Sequence, residues 1–272
     1  MYIYDNTMAL NATKNLNVTQ GNISKNLERL SSGLRINSAA DDAAGLAISE
    51  KMTAQLKGMA RAELNAQDAI SLVQTGENAL ANINGIFDRL IDLATEAATN
   101  SLNNTDRQKI VAEYSALKAE INQIAGNVNF NSVNLLSGGF SAGKVFQIGA
   151  QAAEKMTIAI GRAAFSAICT GGTLSLGTVT GANAAITKIQ NTIEKLASRR
   201  ANLGSYQNRL EQSIENLQSM QTNLTTSQAR IRDLDMAKEM TDYSRNQILQ
   251  QTGIAMLAQA NQIPSQILSL MK

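Results

Sequence analysis

The chain has no histidine and no tryptophan, and its 272 residues include one cysteine, Cys169, and one proline, Pro264. Without His and with a lone Cys, the common zinc, haem, iron–sulfur and nucleophile–His chemistries lack their ligands or bases. One Cys closes no internal disulfide, so cysteine usage does not report the redox compartment. Aromatic residues are 4% of the chain. Proline breaks helices, so a single proline suits long uninterrupted ones. An excess of either charge is also lacking: 24 basic residues face 22 acidic ones, for a net charge of +2. That balance gives no polyelectrolyte signal, so neither nucleic acid nor an anionic membrane is expected as a partner. No apolar run approaches the ~18 residues of a membrane span. The first residues, MYIYDNTMALN, lack a basic segment followed by an apolar run, so a Sec signal peptide is not expected. What is present, 44% hydrophobic and 17% charged residues, supports a folded body.

The chain divides into a helical stretch, a glycine-rich middle and a second helical stretch. Ten of its 18 glycines fall between Gly126 and Gly181. In the first stretch Met52, Met59, Ala66, Val73, Leu80, Phe87 and Ala94 recur every seven residues, and Gln55, Ala62, Ala69, Gly76, Ile83, Leu90 and Ala97 follow three residues on. The two columns approximate an a/d stripe and predict one helix over residues 42–99, started by Asp41 and Asp42. In the second, Ile189, Leu196, Leu203, Leu210, Leu217, Leu224 and Ile231 repeat every seven residues. Its partner positions are mixed, with Ile193, Ile214 and Met220 apolar but Arg200, Gln207 and Gln221 polar. Each seam is about 63 Å long at 1.5 Å per residue. The chain reverses between them, so they are expected to pack as an antiparallel coiled-coil-like rod. The fold class expected is mainly α.

A shorter third helix is expected from Thr105, with Gln108 completing a capping box, through Ile110, Tyr114, Leu117, Ile121 and Ile124. Residues 145–148 and 156–160 read as a β-hairpin with Met156, Ile158 and Ile160 on one face, inside a hairpin region near 144–161. Residues 162–185 read as a short loop. Both ends carry apolar stripes: Leu16, Ile23, Leu27, Leu30 and Leu34 near the start, and Ile248, Leu249, Ile254, Leu257, Ile263, Ile267 and Leu270 near the end. Neither has much of its own domain to bury against, which points to assembly. Burying ~10 large side chains only on association, at ~1.5–3 kcal/mol each before entropy costs, drives strong polymerisation.

Three motifs invite sharper readings. GGFSAGK at 138–144 has P-loop spacing, but Val145 stands where a Ser or Thr should hold magnesium, and the segment leads into a strand rather than a helix. A turn is the better reading. The carboxylate pairs Asp41–Asp42 and Asp233/Asp235 have no neighbouring groups to separate their pKa values, so helix caps and solvated faces are expected there, not acid–base catalysis. Cys169 is either an exposed crosslinking thiol or a small residue tucked beside the hairpin, the commoner fate of a free Cys.

The motifs LSSGLRIN (30–37), AADDAAGLAIS (39–49), FNSVNLLS (130–137), FQIG (146–149), ARIRDLDMA (229–237) and QANQIP (259–264) closely resemble bacterial flagellin, in order and spacing, over essentially the whole chain. The resemblance implies a minimal flagellin without the variable outer D2/D3 insertion. Residues 1–40 and 235–272 would form the terminal domain D0, ordering on assembly, and residues 41–234 the rod domain D1. It implies no catalysis and no cofactor, but a structural subunit that polymerises with itself into the extracellular flagellar filament for motility, leaving the cell by the flagellar type III route. It further implies an export chaperone, a filament cap and hook-junction proteins as partners. FDRLIDLA (87–94) is similar to the segment of flagellins sensed by Toll-like receptor 5, which makes Arg89, Leu93 and Glu113 candidate receptor contacts. The family normally lacks cysteine, so Cys169 is a departure. A hook–filament junction protein of the same family is the nearest alternative, and long self-grown polymers discriminate against it. A soluble coiled-coil binding module would instead be a small oligomer with ordered ends.

Overall fold

The structure is a computed structural model that describes residues 6–101, 103–169 and 175–270, with side chains through residue 263. The chain is 76% helical. In order its elements are α1 (Thr7–Ser32), α2 (Ala43–Ala97), α3 (Asn104–Asn127), β1 (Asn129–Phe130), β2 (Val133–Asn134), β3 (Lys144–Gln147), β4 (Lys155–Ile158), α4 (Phe165–Ile168), α5 (Val179–Arg232) and α6 (Met236–Leu270). It is mainly α, as expected. Its internal contacts divide it into two compact units: one spans residues 55–221, and the other comprises the chain up to Ala54 and from Thr222.

The middle unit holds the main core. Every position of the two α2 columns from Met59 to Ala97 is buried, as are Ile189, Leu196, Leu203, Leu210 and Leu217 of α5. Each large side chain among them contributes about 1.5–3 kcal/mol through burial. The helices run antiparallel: Glu63 of α2 accepts from Gln218 at 2.7 Å, and farther along α2 Glu77 accepts from Arg200, nearer the start of α5, at 2.7 Å. Of the polar members of the α5 seam, Arg200 and Gln221 reach sideways to the α2 carboxylates Glu77 and Glu63, whereas Gln207 donates to Glu211 of its own helix.

α3 packs Ile110, Tyr114, Ile121 and Ala125 into the same core. Its cap is Asn103, whose side-chain oxygen accepts from Asp106 N–H at 2.8 Å, rather than the expected Thr105. Both types cap well; Asn103 wins because its carbonyl reaches the third amide of a helix that begins one residue before Thr105. Between β1 and β2, Asn131 and Ser132 both have positive φ, 48° and 63°, forming a two-residue turn of the hairpin-favouring hand that sequence patterning missed. The expected hairpin is β3–β4, with Val145 opposite Thr157 and Phe146 opposite Met156; Met156, Ile158 and Ile160 are buried. Asn65 of α2 donates to Gln147 O at 3.1 Å and anchors it. Residues 138–143 are turns leading into β3, in line with the rejection of a phosphate loop.

The expected loop over 162–185 is corrected at both ends. α5 begins at Val179, and residues 163–169 enter the core through Ala163, Phe165, Ile168 and Cys169. Phe165 stacks on Phe87 of α2 at 5.9 Å, meets Tyr114 of α3 edge-on at 6.5 Å, and has Lys118 Nζ 5.2 Å from its ring centre. Tertiary packing, not local periodicity, makes this single turn of helix. Cys169 is buried, the unreactive of its two expected fates.

Candidate assembly interface

The second unit is built on the pairing of α1 with α6. α1 begins at Asn6, whose side chain accepts from Ala9 N–H at 3.1 Å, and ends at Gly33, left-handed at φ 71°. α6 is capped by Asp235, which accepts from the amides of Ala237 and Lys238 at 3.1 Å each. The two helices run antiparallel. Asn6 Nδ2 donates to Ala260 O at 2.8 Å, Leu16 lies over Gly253, and Arg29 approaches Glu239 at 4.0 Å.

A polar cluster sits inside this pair. Asn26 and Glu239 are both buried. In the amide orientation that satisfies its neighbours, Asn26 donates to the Asn22 carbonyl and the Glu239 carboxylate, and accepts from Tyr243 N–H and the Asn246 amide. Asp41 ties the α1–α2 connection to α1. Its carboxylate accepts from Asn37 N–H, Ser38 N–H and Ser38 Oγ, and ion-pairs with Lys25 at 2.7 Å. The Lys25 ammonium and the Ser38 amide hold Asp41 well below the usual carboxylate range. Asp42 caps α2 by accepting from Gly45 N–H at 2.9 Å. Asp42 is the helix cap the sequence predicts, but Asp41 is not a solvated face without neighbours: Lys25, sixteen residues earlier on α1, folds back onto it.

The apolar side chains of α1 and α6 are only partly consumed by this pairing. Ile23 is buried, and Leu16, Leu30, Leu34, Leu257 and Ile263 are half-buried. Leu27, Ile248, Leu249 and Ile254 are exposed, each with about half of its surface or more open. Ile267 and Leu270 lie outside the residues whose side chains are described. Sequence reading missed further exposed members: Met8, Leu10 and Val18 on α1, and Met236, Met240 and Met256 on α6. They escape a stripe search because they do not share the stripe. At 100° per residue, Glu239, Gly253, Leu257 and Ala260 form the side of α6 facing α1. Met236, Met240 and Ile254 then lie on one flank, Leu249 and Met256 on the other, and Ile248 opposite α1. The expected single C-terminal stripe is therefore corrected: exposed apolar side chains lie on several sides of α6, interspersed with polar ones such as Lys238, Arg245 and Gln251. Exposed apolar groups on more than one side suit a helix that meets neighbours from more than one direction.

The other candidate residues fall in the middle unit. Arg89 Nη2 and Glu113 Oε1 are 2.7 Å apart, bridging α2 and α3 on the surface, and the Glu113 carboxylate raises the Arg89 pKa. Leu93, one turn from Arg89, is 1% exposed and packs in the core, so in the free subunit its side chain is not presented at the surface as a direct contact would need.

Comparison with known families and structures accords with this architecture. Residues 3–141 match the family model for the bacterial flagellin N-terminal helical region, and residues 186–271 that for the C-terminal helical region. The chain is 41% identical to the flagellar filament 33 kDa core protein of Treponema phagedenis and 40% identical to the flagellin of Bacillus subtilis (strain 168), over all of both chains in each case. Among solved structures, the Bacillus cereus flagellin crystal structure is similar with a TM-score of 0.51 and 35% identity, covering 61% of this chain and 94% of that one. A putative flagellar hook-associated protein from Vibrio parahaemolyticus shares the fold, with a TM-score of 0.61 at 14% identity over 71% of this chain.

Proposed function

The chain belongs to the bacterial flagellin family, and from that premise we propose that it is a structural subunit that polymerises with copies of itself into the extracellular flagellar filament. The observation that carries the reading is the surplus of exposed apolar side chains around α1 and α6. One partner helix covers one side of α6. Covering Met236, Met240 and Ile254 together with Leu249 and Met256 takes neighbours on both flanks, which a polymer of identical subunits supplies. Such contacts are heterologous and open, so growth does not close on itself. In this reading residues 1–40 and 235–272 act as the terminal domain that orders on assembly, and 41–234 as the body that carries it.

Family membership also supports the finer parts of the proposal: export through the flagellar type III route, an export chaperone, and cap and hook-junction proteins as neighbours. Sensing by Toll-like receptor 5 is the remaining part. It rests on the exposed Arg89–Glu113 pair, with Leu93 holding the helices beneath it. Arg89→Ala is expected to lower receptor activation while leaving polymer growth intact.

The test of assembly is electron microscopy of purified monomer seeded with short filament fragments under a precipitant salt, beside a form lacking residues 1–38 and 235–272. Long tubes from the full chain alone are expected. A full chain that stays short or monomeric in every condition would replace this reading with the junction-protein one. A truncated form that polymerises equally well would remove the terminal helices as the driving surface.

A further inference from the structure

We infer that Met8, Met236, Met240 and Met256 form a redox-sensitive modification site: oxidation of their thioethers by a peroxide in the free subunit blocks its entry into the polymer. This rests on the proposed assembly through α1 and α6. The chain has ten methionines; among the eight whose side chains are described, Met52 is half-buried and the others are either buried or about half exposed. Met59 and Met156 are buried in the core of the middle unit. Met8, Met236, Met240 and Met256 each expose between 48 and 61% of their surface, and all four lie on the two terminal helices. Met220, on α5 in the middle unit, is exposed to a similar degree and serves as an internal control.

The chemistry needs only a peroxide. The thioether sulfur attacks one peroxide oxygen, an S–O bond forms and the O–O bond breaks. The departing oxygen leaves as water, sulfur losing two electrons to the peroxide. The product sulfoxide is polar and chiral where the thioether was flexible and apolar. In the free subunit the new S=O group stays hydrated whether or not α1 and α6 are ordered, so it costs nothing before assembly. On assembly the same groups, on α1 and on both flanks of α6, must shed that water. Oxidation therefore acts on association and not on the monomer. Once the polymer has formed, the same side chains are covered and should resist the reagent.

The experiment treats full-length monomer with graded hydrogen peroxide, removes the excess, maps sulfoxide by peptide mass spectrometry and measures the critical concentration for seeded growth by sedimentation. Met8, Met236, Met240 and Met256 are expected to oxidise well before Met59 and Met156, and the critical concentration to rise about tenfold or more. Methionine sulfoxide reductases should restore it. The critical concentration of M8L/M236L/M240L/M256L, compared with its own untreated value, should not change with peroxide, whereas M220L alone should remain sensitive. Preformed polymer should oxidise slowly at the four positions. An unchanged critical concentration despite sulfoxide at all four, or failure of the reductases to restore growth, would overturn the inference. So would a fourfold Leu variant that grows untreated yet remains peroxide-sensitive. Untreated wild-type chain that never grows would instead overturn the assembly reading itself and take this inference with it.

Discussion

Leu34 and Asp233 are joined by an antiparallel β-bridge that ties the α1–α2 connection to the α5–α6 connection. On either side, Leu234 N–H donates to Gly33 O at 3.1 Å and Arg35 N–H donates to Arg232 O at 2.7 Å, while the Arg35 guanidinium reaches Ile231 O. Two helix ends, which would otherwise leave carbonyls unpaired, satisfy each other. The bridge needs α1 to stop sharply, and Gly33 provides that stop in the left-handed region with its N–H bonded to Arg29 O at 2.8 Å.

Gly33→Ala tests this stop. No side chain lies within 4 Å of the position, so a methyl group there meets no steric obstacle and the cost is conformational. The expected loss is about 1 kcal/mol, read as roughly fivefold faster hydrogen exchange in the last turn of α1. Gly33→Asn should lose less, because Asn tolerates the left-handed region.

Phe165→Ala tests whether the short α4 turn is a structural plug. The ring lies between Phe87 and Tyr114 with Lys118 beside it, so its removal leaves a cavity across three helices. A loss of about 3–5 kcal/mol is expected in urea unfolding. Lys118→Met should cost no more than about 1 kcal/mol. A Phe165→Ala loss below about 1 kcal/mol would mean that the segment from 163 to 169 merely covers the core.

These elements also mark what the sequence could and could not disclose. The columns from Met59 to Ala97 and from Ile189 to Leu217 are legible because burial recurs with the helix period and nothing local competes. Phe165 gives no such signal, since one helical turn has no periodicity and its order comes from partners up to 78 positions away, such as Phe87. The Asn131–Ser132 turn joins strands two residues long, too short to alternate visibly. At the interface, Ile23 and Leu16 were legible as a stripe facing a partner helix. Met236, Met240 and Met256 were not, because a surface covered from several directions erases the one-sided pattern that reveals amphipathic helices.

Arg200 sits at an a/d-type position of α5 and donates from Nε and Nη2 to Glu77 Oε1, at 3.0 and 2.7 Å. Both side chains are more than a third exposed, so the pair should contribute only about 0.5 kcal/mol. Arg200→Leu places an apolar side chain on the seam, and thermal unfolding is expected to show no loss. Arg200→Glu opposes like charges and should cost about 1 kcal/mol, with the swap E77R/R200E recovering most of it. A large loss with Arg200→Leu would show that the ion pair itself holds the two helices together.

Tyr114 links burial to alkaline stability. Its hydroxyl is buried and has no hydrogen-bond partner among the described residues. Burial, with a smaller push from nearby Cys169, raises its pKa well above the ordinary tyrosine value. The proton is therefore held more tightly in the folded chain than in the unfolded one. The stability contributed by Tyr114 is fully present below the unfolded value near pH 10 and is lost as pH rises toward the folded one. Tyr114→Phe keeps the ring against Phe165 and deletes the unpaired hydroxyl, so at pH 7 it should be neutral or stabilising by about 1 kcal/mol. Its advantage over the wild type should then grow between about pH 10 and 11, approaching 1.4 kcal/mol per pH unit. Urea midpoints of both proteins from about pH 8 to 11 measure the difference. If the gap stays constant across that range, the hydroxyl titrates alike in both states, and the pocket between α3 and Cys169 is open to water.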